Sequence, residues 1–522
     1  MHTRIRISEM LIASFLAVIC SSAAQGTSGQ PGTLDPFWAT GSPLGVGKVV
    51  TQIGNGADDA AAMLLQPDGK VVVAGTCDGV SNRDFCALRY DPSGVLDPSF
   101  GNGGKVITSM GSLDDFATSV ALQPDGKVLV VGYCQSGGVH YDFCALRYNT
   151  NGTLDTTFGG LGTGKVITTL GALPRAGIDS DNASAVIVQS DGKIIVAGTC
   201  TFGSTNIQFC ALRYNNNGTL DTTFGSAGSG KVFTAVGTGG IDTAAAMTLQ
   251  PDGKVLVAGS CASTLPTTLF CVVRYNADGT LDLSFNFSGK VTSSVGSSSA
   301  VASAIALQPD GKIVLAGYCR GATGTDDFCV VRYVGDGSLD NRFGSGGKAV
   351  TAVGPLHDHA AGIAIQPDGK ILVSGDCNPL ASDTLNSVFC AARLSPNGSL
   401  DSDFGSAGKV LTDFDGHDFG KAMALQPDGR ILLAGTCSPA THDFCAARYD
   451  GGPFGYQNCK LDIDGDGRVL ATTDMLIATR IAVGMTGNAV VNGITFSGTA
   501  TRNTWPLIRD YLVTQCGMSL LQ

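Results

Sequence analysis

One phrase constrains this chain more than any other: L-Q-P-D-G-K-V-V-V-A-G-T-C at Leu65–Cys77, followed after a short loop by F-C-A-L-R-Y at Phe85–Tyr90. With small variations it occurs seven times. Its glutamine falls at Gln66, Gln123, Gln189, Gln250, Gln308, Gln366 and Gln426. The period is roughly sixty residues, near the range of propeller blades and other arrays. Over 522 residues this suggests either several domains or one large repeat array.

Each unit reads as four strand-like segments in the order Lys105–Thr108, Ala117–Leu122, Lys127–Gly132 and Phe143–Tyr148. The turns between them have a mechanism. In Pro124-Asp125-Gly126 the proline presets φ, the aspartate bonds the local backbone, and the glycine accepts a left-handed conformation. Asn151-Gly152 marks a second tight reversal, so the sequon Asn151-Gly152-Thr153 reads as a turn rather than a glycan site. With 72 glycines and only 15% charged residues, the composition favours short strands over long solvated helices.

The ends of the array indicate how it closes. A segment L-D-x-x-F followed by G-K-V (G-K-A once) also occurs seven times, with Trp38 in place of the phenylalanine in the first copy, out of phase with Q-P-D-G-K. Its first copy, Leu34–Val50, precedes the first Q-P-D-G-K, and no copy follows Ala446–Tyr449. The N-terminal piece is what the seventh unit lacks. The expected fold is an all-β, seven-bladed β-propeller closed by an N-terminal strand, which leaves no open sheet edge. An open solenoid would call for capped ends.

The motifs Q-P-D-G-K, V-A-G, A-L-R-Y and L-D-x-x-F-G resemble the delta-60 repeat family over residues 33–455. The resemblance implies a propeller-like β-domain on a secreted or surface protein, and no particular activity.

The N-terminal 1–24 reads as a signal peptide: Arg4 and Arg6, an apolar run at Met10–Ile19, and small residues at Ser22-Ala23-Ala24. The apolar run is too short for a stable bilayer span. Its removal leaves sixteen of seventeen cysteines. Fourteen form close pairs: Cys77/Cys86, Cys134/Cys144, Cys200/Cys210, Cys261/Cys271, Cys319/Cys329, Cys377/Cys390 and Cys437/Cys445. These predict seven hairpin disulfides and an oxidising compartment outside the cytoplasm, extracellular or periplasmic. Metal binding by these thiols would call for tighter C-x-x-C spacing. The net charge of −11 argues against nucleic acid as a partner.

From about Tyr456 the repeat stops. The remaining residues, 456–522, read as a small helical domain, with apolar residues at helical spacing in Thr473–Val483 and Thr501–Val513. Its strongest signal is L-D-I-D-G-D-G-R-V-L-A-T-T-D. Asp462, Asp464 and Asp466 alternate before Gly467, and a hard cation such as calcium needs six to eight oxygens of this kind. Arg468 would give its backbone carbonyl, and Asp474 would close the shell one place later than a standard twelve-residue loop. The stretch is similar to one half of a dockerin-like module, which implies calcium as cofactor and a cohesin-type partner. The second half carries no matching loop. Cys459 and Cys516 flank the region and are expected to clamp its ends.

Three further sets of residues stand out. An acidic position eight residues before the motif glutamine (Asp58, Asp115, Asp181, Asp242, Asp358 and Asp418, with Ala300 breaking the series) is either a carboxylate rim or a cap at the start of each second segment. The cap is favoured, because a residue that recurs in nearly every blade serves the blade. Arg89, Arg147, Arg213, Arg274, Arg332, Arg393 and Arg448 are expected to pair with the L-D aspartates, such as Asp97 and Asp155. His357, Asp358 and His359, with His417 and Asp418 at the matching place one unit later, break the symmetry and could bind a transition metal or act as acid and base. No nucleophile elbow, phosphate loop or zinc-protease signature is present. The expected role is a secreted, non-enzymatic scaffold presenting loops to a protein or carbohydrate partner. The alternatives are a polysaccharide hydrolase, with two carboxylates converging in one pocket, and a self-associating structural protein.

Overall fold

The computed structural model describes residues 30–452 apart from 43, 80, 136–139, 161, 171–179, 203–205, 226–227, 265–266, 381–385 and 439–441, and C-terminally 463, 473, 476–477, 480, 487–498 and 500–514. The signal peptide expected at 1–24, the disulfide expected between Cys459 and Cys516, and the expected calcium ligands Asp462, Asp464, Asp466, Arg468 and Asp474 lie outside the described residues. Of the C-terminal region, a helix at Trp505–Thr514 is described, overlapping the stretch expected at Thr501–Val513 but starting four residues later. Among the described residues no helix is long and apolar enough to cross a membrane.

The described strands form seven four-stranded antiparallel sheets. In the first blade the order is Asp58–Leu65, Val71–Asp78, Arg83–Tyr90 and Lys105–Thr108. The first strands of adjacent blades pack side by side all the way round, so they form the inner ring. The four-residue K-V-I-T-type strand is outermost. This corrects the phase read from the sequence: Lys105–Thr108 ends the first blade rather than beginning the second, pairing Leu88↔Lys105 and Phe85↔Thr108. Hairpin-linked strands look alike in either phase, and only the hydrogen-bonded register separates them.

Ring closure follows the expected scheme. Lys48–Thr51 forms the outer strand of the seventh blade, with Lys48↔Ala447 and Thr51↔Phe444, the same register as in the first blade. The short bridge Leu34↔Tyr449 likewise repeats Tyr90↔Leu96.

The seven hydrophobic clusters map onto the seven junctions between blades. The second and third strands are buried on both faces, so alternate residues feed the two neighbouring junctions. Val72 and Ala74 pack toward the second blade, while Val71 and Val73 pack toward the seventh. This explains why these strands read as continuous apolar runs. The seventh blade meets the first through Leu432, Phe444, Val71 and Tyr90, sealed by Trp38 from the N-terminal segment.

Polar groups stitch the same junctions. Arg147 donates from Nε to Asp155 at 2.7 Å and from one terminal nitrogen to the carbonyl of Asn216 in the next blade. Its guanidinium lies 4.7 Å from the Phe158 ring centroid. Lys127 of the Q-P-D-G-K turn reaches the same Asp155 oxygen at 3.2 Å. This clamp recurs from blade to blade, and at closure Arg448 pairs with Asp35, 413 residues away, and reaches the carbonyl of Pro92.

The turns behave as their residues dictate. Gly126 has φ of 81°, the Lys127 amide donates to Asp125, and the Gly126 amide donates to the Gln123 carbonyl. Asn151 accepts from the Thr153 amide and hydroxyl, so it serves a turn. A Cβ on Gly132, which stands where other blades have the V-A-G glycine, would overlap the Phe116 carbonyl where the inner strand bulges.

The propeller therefore has two unlike ends. One carries the Q-P-D-G turns and the arginine clamps. The other carries the loops between second and third strands, each pinned by a disulfide, with Cα–Cα separations of 5.8–6.0 Å and sequence spans of 8–13 residues. Closing a loop of about ten residues stabilises by roughly 2–3 kcal/mol in the chain-entropy model.

Candidate metal centre at a junction between blades

The recurring aspartates are caps. Asp58, Asp115, Asp181, Asp242, Asp358 and Asp418 are fully buried. Each carboxylate turns back to accept amides from the segment entering its blade: Ile53 and Gly54 for Asp58, Met110 and Gly111 for Asp115, Val353 and Gly354 for Asp358, and Phe414 for Asp418. They form no open rim. Asp358 and Asp418 therefore do not join the histidines beside them.

Burial pushes Asp115 and Asp358 up to about 6 and Asp418 up to about 7, against an ordinary value of 3.8, with the donated amides offsetting part of the effect. Asp155 is also raised by burial, but the Thr157 hydroxyl and amide, Lys127 and Arg147 outweigh this and hold it well below its ordinary value. The signs are opposite. A carboxyl raised on folding contributes stability that is complete below its unfolded value and is lost as pH rises through 6–7. The clamp aspartates contribute above their unfolded value and lose it on further acidification. Urea unfolding of the oxidised protein is expected to show a higher midpoint at pH 5 than at pH 8, with a smaller difference in Asp418→Asn. A higher midpoint at pH 8 would contradict this assignment.

The symmetry-breaking histidines do come together, with a partner that the sequence did not single out. His357 precedes the inner strand Asp358–Ile365 of the sixth blade and His359 lies on it. Asp326 begins the third strand, Asp326–Tyr333, of the fifth blade. His357 Nδ1 lies 3.2 Å from Asp326 Oδ2, and His359 Nε2 lies 3.7 Å from the same oxygen. The other Asp326 oxygen is 3.6 Å from Arg320. His359 Nδ1 is 3.3 Å from Asp376 Oδ2, and the Tyr318 ring stands edge-on to the imidazole at 4.6 Å between centroids. Chiefly through its bond to Asp376, the His359 pKa is raised above 6.5. Among the described residues, Asp326, His357 and His359 are the group whose ligand-capable atoms converge within 4.8 Å. His417 is exposed and stands outside this group, so the expected meeting of histidines from the sixth and seventh blades does not occur.

A sequence signal for Asp326 did exist. Three residues before the second cysteine of each pair stand Arg83, Tyr141, Ile207, Thr268, Asp326, Ser387 and His442: seven blades, seven different residues. The register places them at equivalent points on the disulfide end, as in Asp78↔Arg83, Gln135↔Tyr141 and Arg320↔Asp326. Other junctions use this position differently. Arg83 lies 5.8 Å from the Phe116 ring centroid of the second blade. Phe116, Tyr133 and Tyr141 form a half-buried aromatic ladder with centroids 5.1–5.9 Å apart. His442 pairs with Asp59 of the first blade at 3.2 Å. The opposite end holds a cavity of about 890 Å³ lined by Gln66, Gln123, Gln189, Leu122, Val188 and Leu249 among others. Its walls are largely motif residues, which serve the array.

The model of a family described as "Domain of unknown function (DUF5122) beta-propeller" matches residues 66–100, 123–158, 189–224, 250–285, 308–343 and 366–404. The chain is a β-propeller repeat protein. Each match runs from the motif glutamine to the phenylalanine of L-D-x-x-F. The seventh copy, which lies outside these matches, is split, with Gln426–Tyr449 at one end of the array and Leu34–Trp38 at the other. No curated protein matches the chain. Among solved structures, a protein of unknown function from Dyadobacter fermentans is 12% identical, with 77% of this chain and 99% of that one covered and a TM-score of 0.40. Virginiamycin B lyase from Staphylococcus aureus is 9% identical, with 77% and 98% covered and a TM-score of 0.43. A protein of unknown function from Bacteroides caccae is 14% identical, with 66% and 98% covered and a TM-score of 0.35.

Proposed function

We propose that this propeller is an exported, non-enzymatic binding scaffold whose disulfide end receives a carbohydrate partner. One observation carries the reading: a position that differs in all seven blades lies on the end where each loop is covalently pinned. A surface that varies while its backbone is held firm binds with little ordering cost. The aromatic ladder Phe116–Tyr133–Tyr141 supports a sugar as the ligand, because the apolar C–H faces of sugars stack on aromatic rings. Asp59, Asp78, Asp114 and Arg83 beside it supply hydrogen-bonding groups for hydroxyls. Export accords with the seven disulfides, which persist in oxidising compartments.

The reading is tested by measuring retention of the purified oxidised protein on a panel of immobilised neutral and acidic polysaccharides. Retention on at least one member is expected, with at least a tenfold loss in Phe116→Ala/Tyr141→Ala and none in Gln250→Ala on the opposite end. No retention on any member, or equal retention by the ladder variant, would sink it. Release of reducing ends from a retained polysaccharide would replace it with the hydrolase reading.

The C-terminal region is proposed as a calcium-stabilised module, with Asp462, Asp464, Asp466, the Arg468 carbonyl and Asp474 as ligands. Calorimetric calcium titration should show one site in the full chain and none in Asp464→Ala/Asp466→Ala. Calcium binding that is unchanged in that variant would contradict the assignment.

A further inference from the structure

We infer that Asp326, His357 and His359 form a binding site for one divalent transition-metal ion, with zinc the fitting probe, at the junction of the fifth and sixth blades. The inference stands on the geometry alone and does not depend on the carbohydrate reading. Imidazole nitrogens and a carboxylate oxygen suit zinc-like ions, whereas calcium and magnesium prefer all-oxygen shells.

Three observations point to an ion rather than to a simple ion pair. First, the spacing fits. Ligands about 2.1 Å from a common centre stand about 3.0–3.4 Å apart in octahedral or tetrahedral arrangements. The two edges seen at Asp326 Oδ2 are 3.2 and 3.7 Å, and all three ligand atoms lie within 4.8 Å of one another, so the first edge already fits and side-chain rotation has to close the others. Second, His357 Nδ1 faces the Asp326 carboxylate at 3.2 Å. In the tautomer that leaves this nitrogen unprotonated, its single lone pair points at another acceptor, and a cation between the two satisfies both. Third, His359 turns Nε2 toward Asp326 and Nδ1 toward Asp376 at 3.3 Å. A carboxylate on the far nitrogen is the usual support of a metal-bound histidine, fixing its tautomer and ring plane.

The scaffold holds these groups firmly. Asp326 and His359 lie on strands, and the loop between the second and third strands of the fifth blade is closed by Cys319–Cys329. The His357 and His359 side chains remain 43% and 42% exposed and Asp326 24%, which leaves the solvent side of the site open to water or to a partner's donor atom.

The experiment uses the full chain without an affinity tag, stripped with chelator and dialysed. Zinc is titrated calorimetrically with calcium present to occupy acidic sites, and cobalt is titrated in parallel while visible absorption is followed. One zinc equivalent per chain is expected. The site should be lost in His357→Ala/His359→Ala, and affinity should fall roughly 10–100-fold in Asp376→Asn, which keeps all three ligands but weakens their support. Circular dichroism and thermal midpoints of the metal-free variants check that folding is intact. No zinc uptake by the unsubstituted protein, or an unchanged site in the double variant, overturns the proposal. The first result would mean that a proton alone bridges His357 and Asp326.

Discussion

Deleting residues 30–51 is expected to abolish the folded monomer. That segment supplies Lys48–Thr51, the outer strand of the seventh blade. It also supplies Asp35, which accepts from Arg448 at 2.8 Å and ion-pairs with Arg430 at 2.8 Å, and Trp38, buried in the junction between the seventh and first blades. Without it, Asp443–Tyr449 becomes an open edge with unpaired backbone groups, a template for pairing with other chains. Arg448 also loses its carboxylate, and Arg430 keeps only Asp428. Size exclusion and circular dichroism should show aggregation or a molten species. A truncated chain that stayed monomeric with its original melting temperature would contradict the closure described above.

The second large effect is expected at a clamp. Arg147 is almost fully buried and serves five acceptors: Asp155, Thr157, Gln123, and both the carbonyl and the side chain of Asn216. Arg147→Ala leaves the buried Asp155 carboxylate short of its nearest cationic partner and removes the stacking on Phe158. Breaking a buried pair on one side typically costs about 3–5 kcal/mol. Arg147→Lys keeps the charge but cannot reproduce the planar fork, so it should recover only part of the loss. Removing both charges, as in Arg147→Met/Asp155→Leu, should cost less than Arg147→Ala alone, because no uncompensated charge remains. Urea unfolding of the four proteins checks the order. A cost below about 1 kcal/mol for Arg147→Ala would show the clamp to be energetically idle.

Much of this architecture can be read directly from the residues. Pro124-Asp125-Gly126 specifies its turn by local chemistry, and the cysteine spacings specify hairpins. The displaced first copy at Leu34–Val50 reveals ring closure, because one unit lacks a piece that only the other end can provide. The capping role of Asp58 and its equivalents follows from their regularity. The phase of the blade was not legible. Lys105–Thr108 adjoins both neighbours in sequence, and its place at the rim depends on pairing with Arg83–Tyr90. The site was legible only in half. His357 and His359 stand out as departures from the repeat, whereas Asp326 lies 31 residues before His357 and meets it across a junction. Aligning the seven units and asking where they disagree would have brought it forward, since Asp326 occupies a position where no two blades agree. Asp376 stands at the position of Thr76, Tyr133 and Tyr318 and likewise acquires meaning only beside His359.

The central claim is that the repeat holds the propeller together while departures from it, gathered on the disulfide end, carry function. Hydrogen–deuterium exchange of the full chain with and without one equivalent of zinc tests it most directly. The account predicts slower exchange confined to backbone around Asp326, His357–His359 and Asp376, with the Q-P-D-G turns and arginine clamps unchanged. Protection centred on the clamp end, or none at the junction of the fifth and sixth blades, would contradict it.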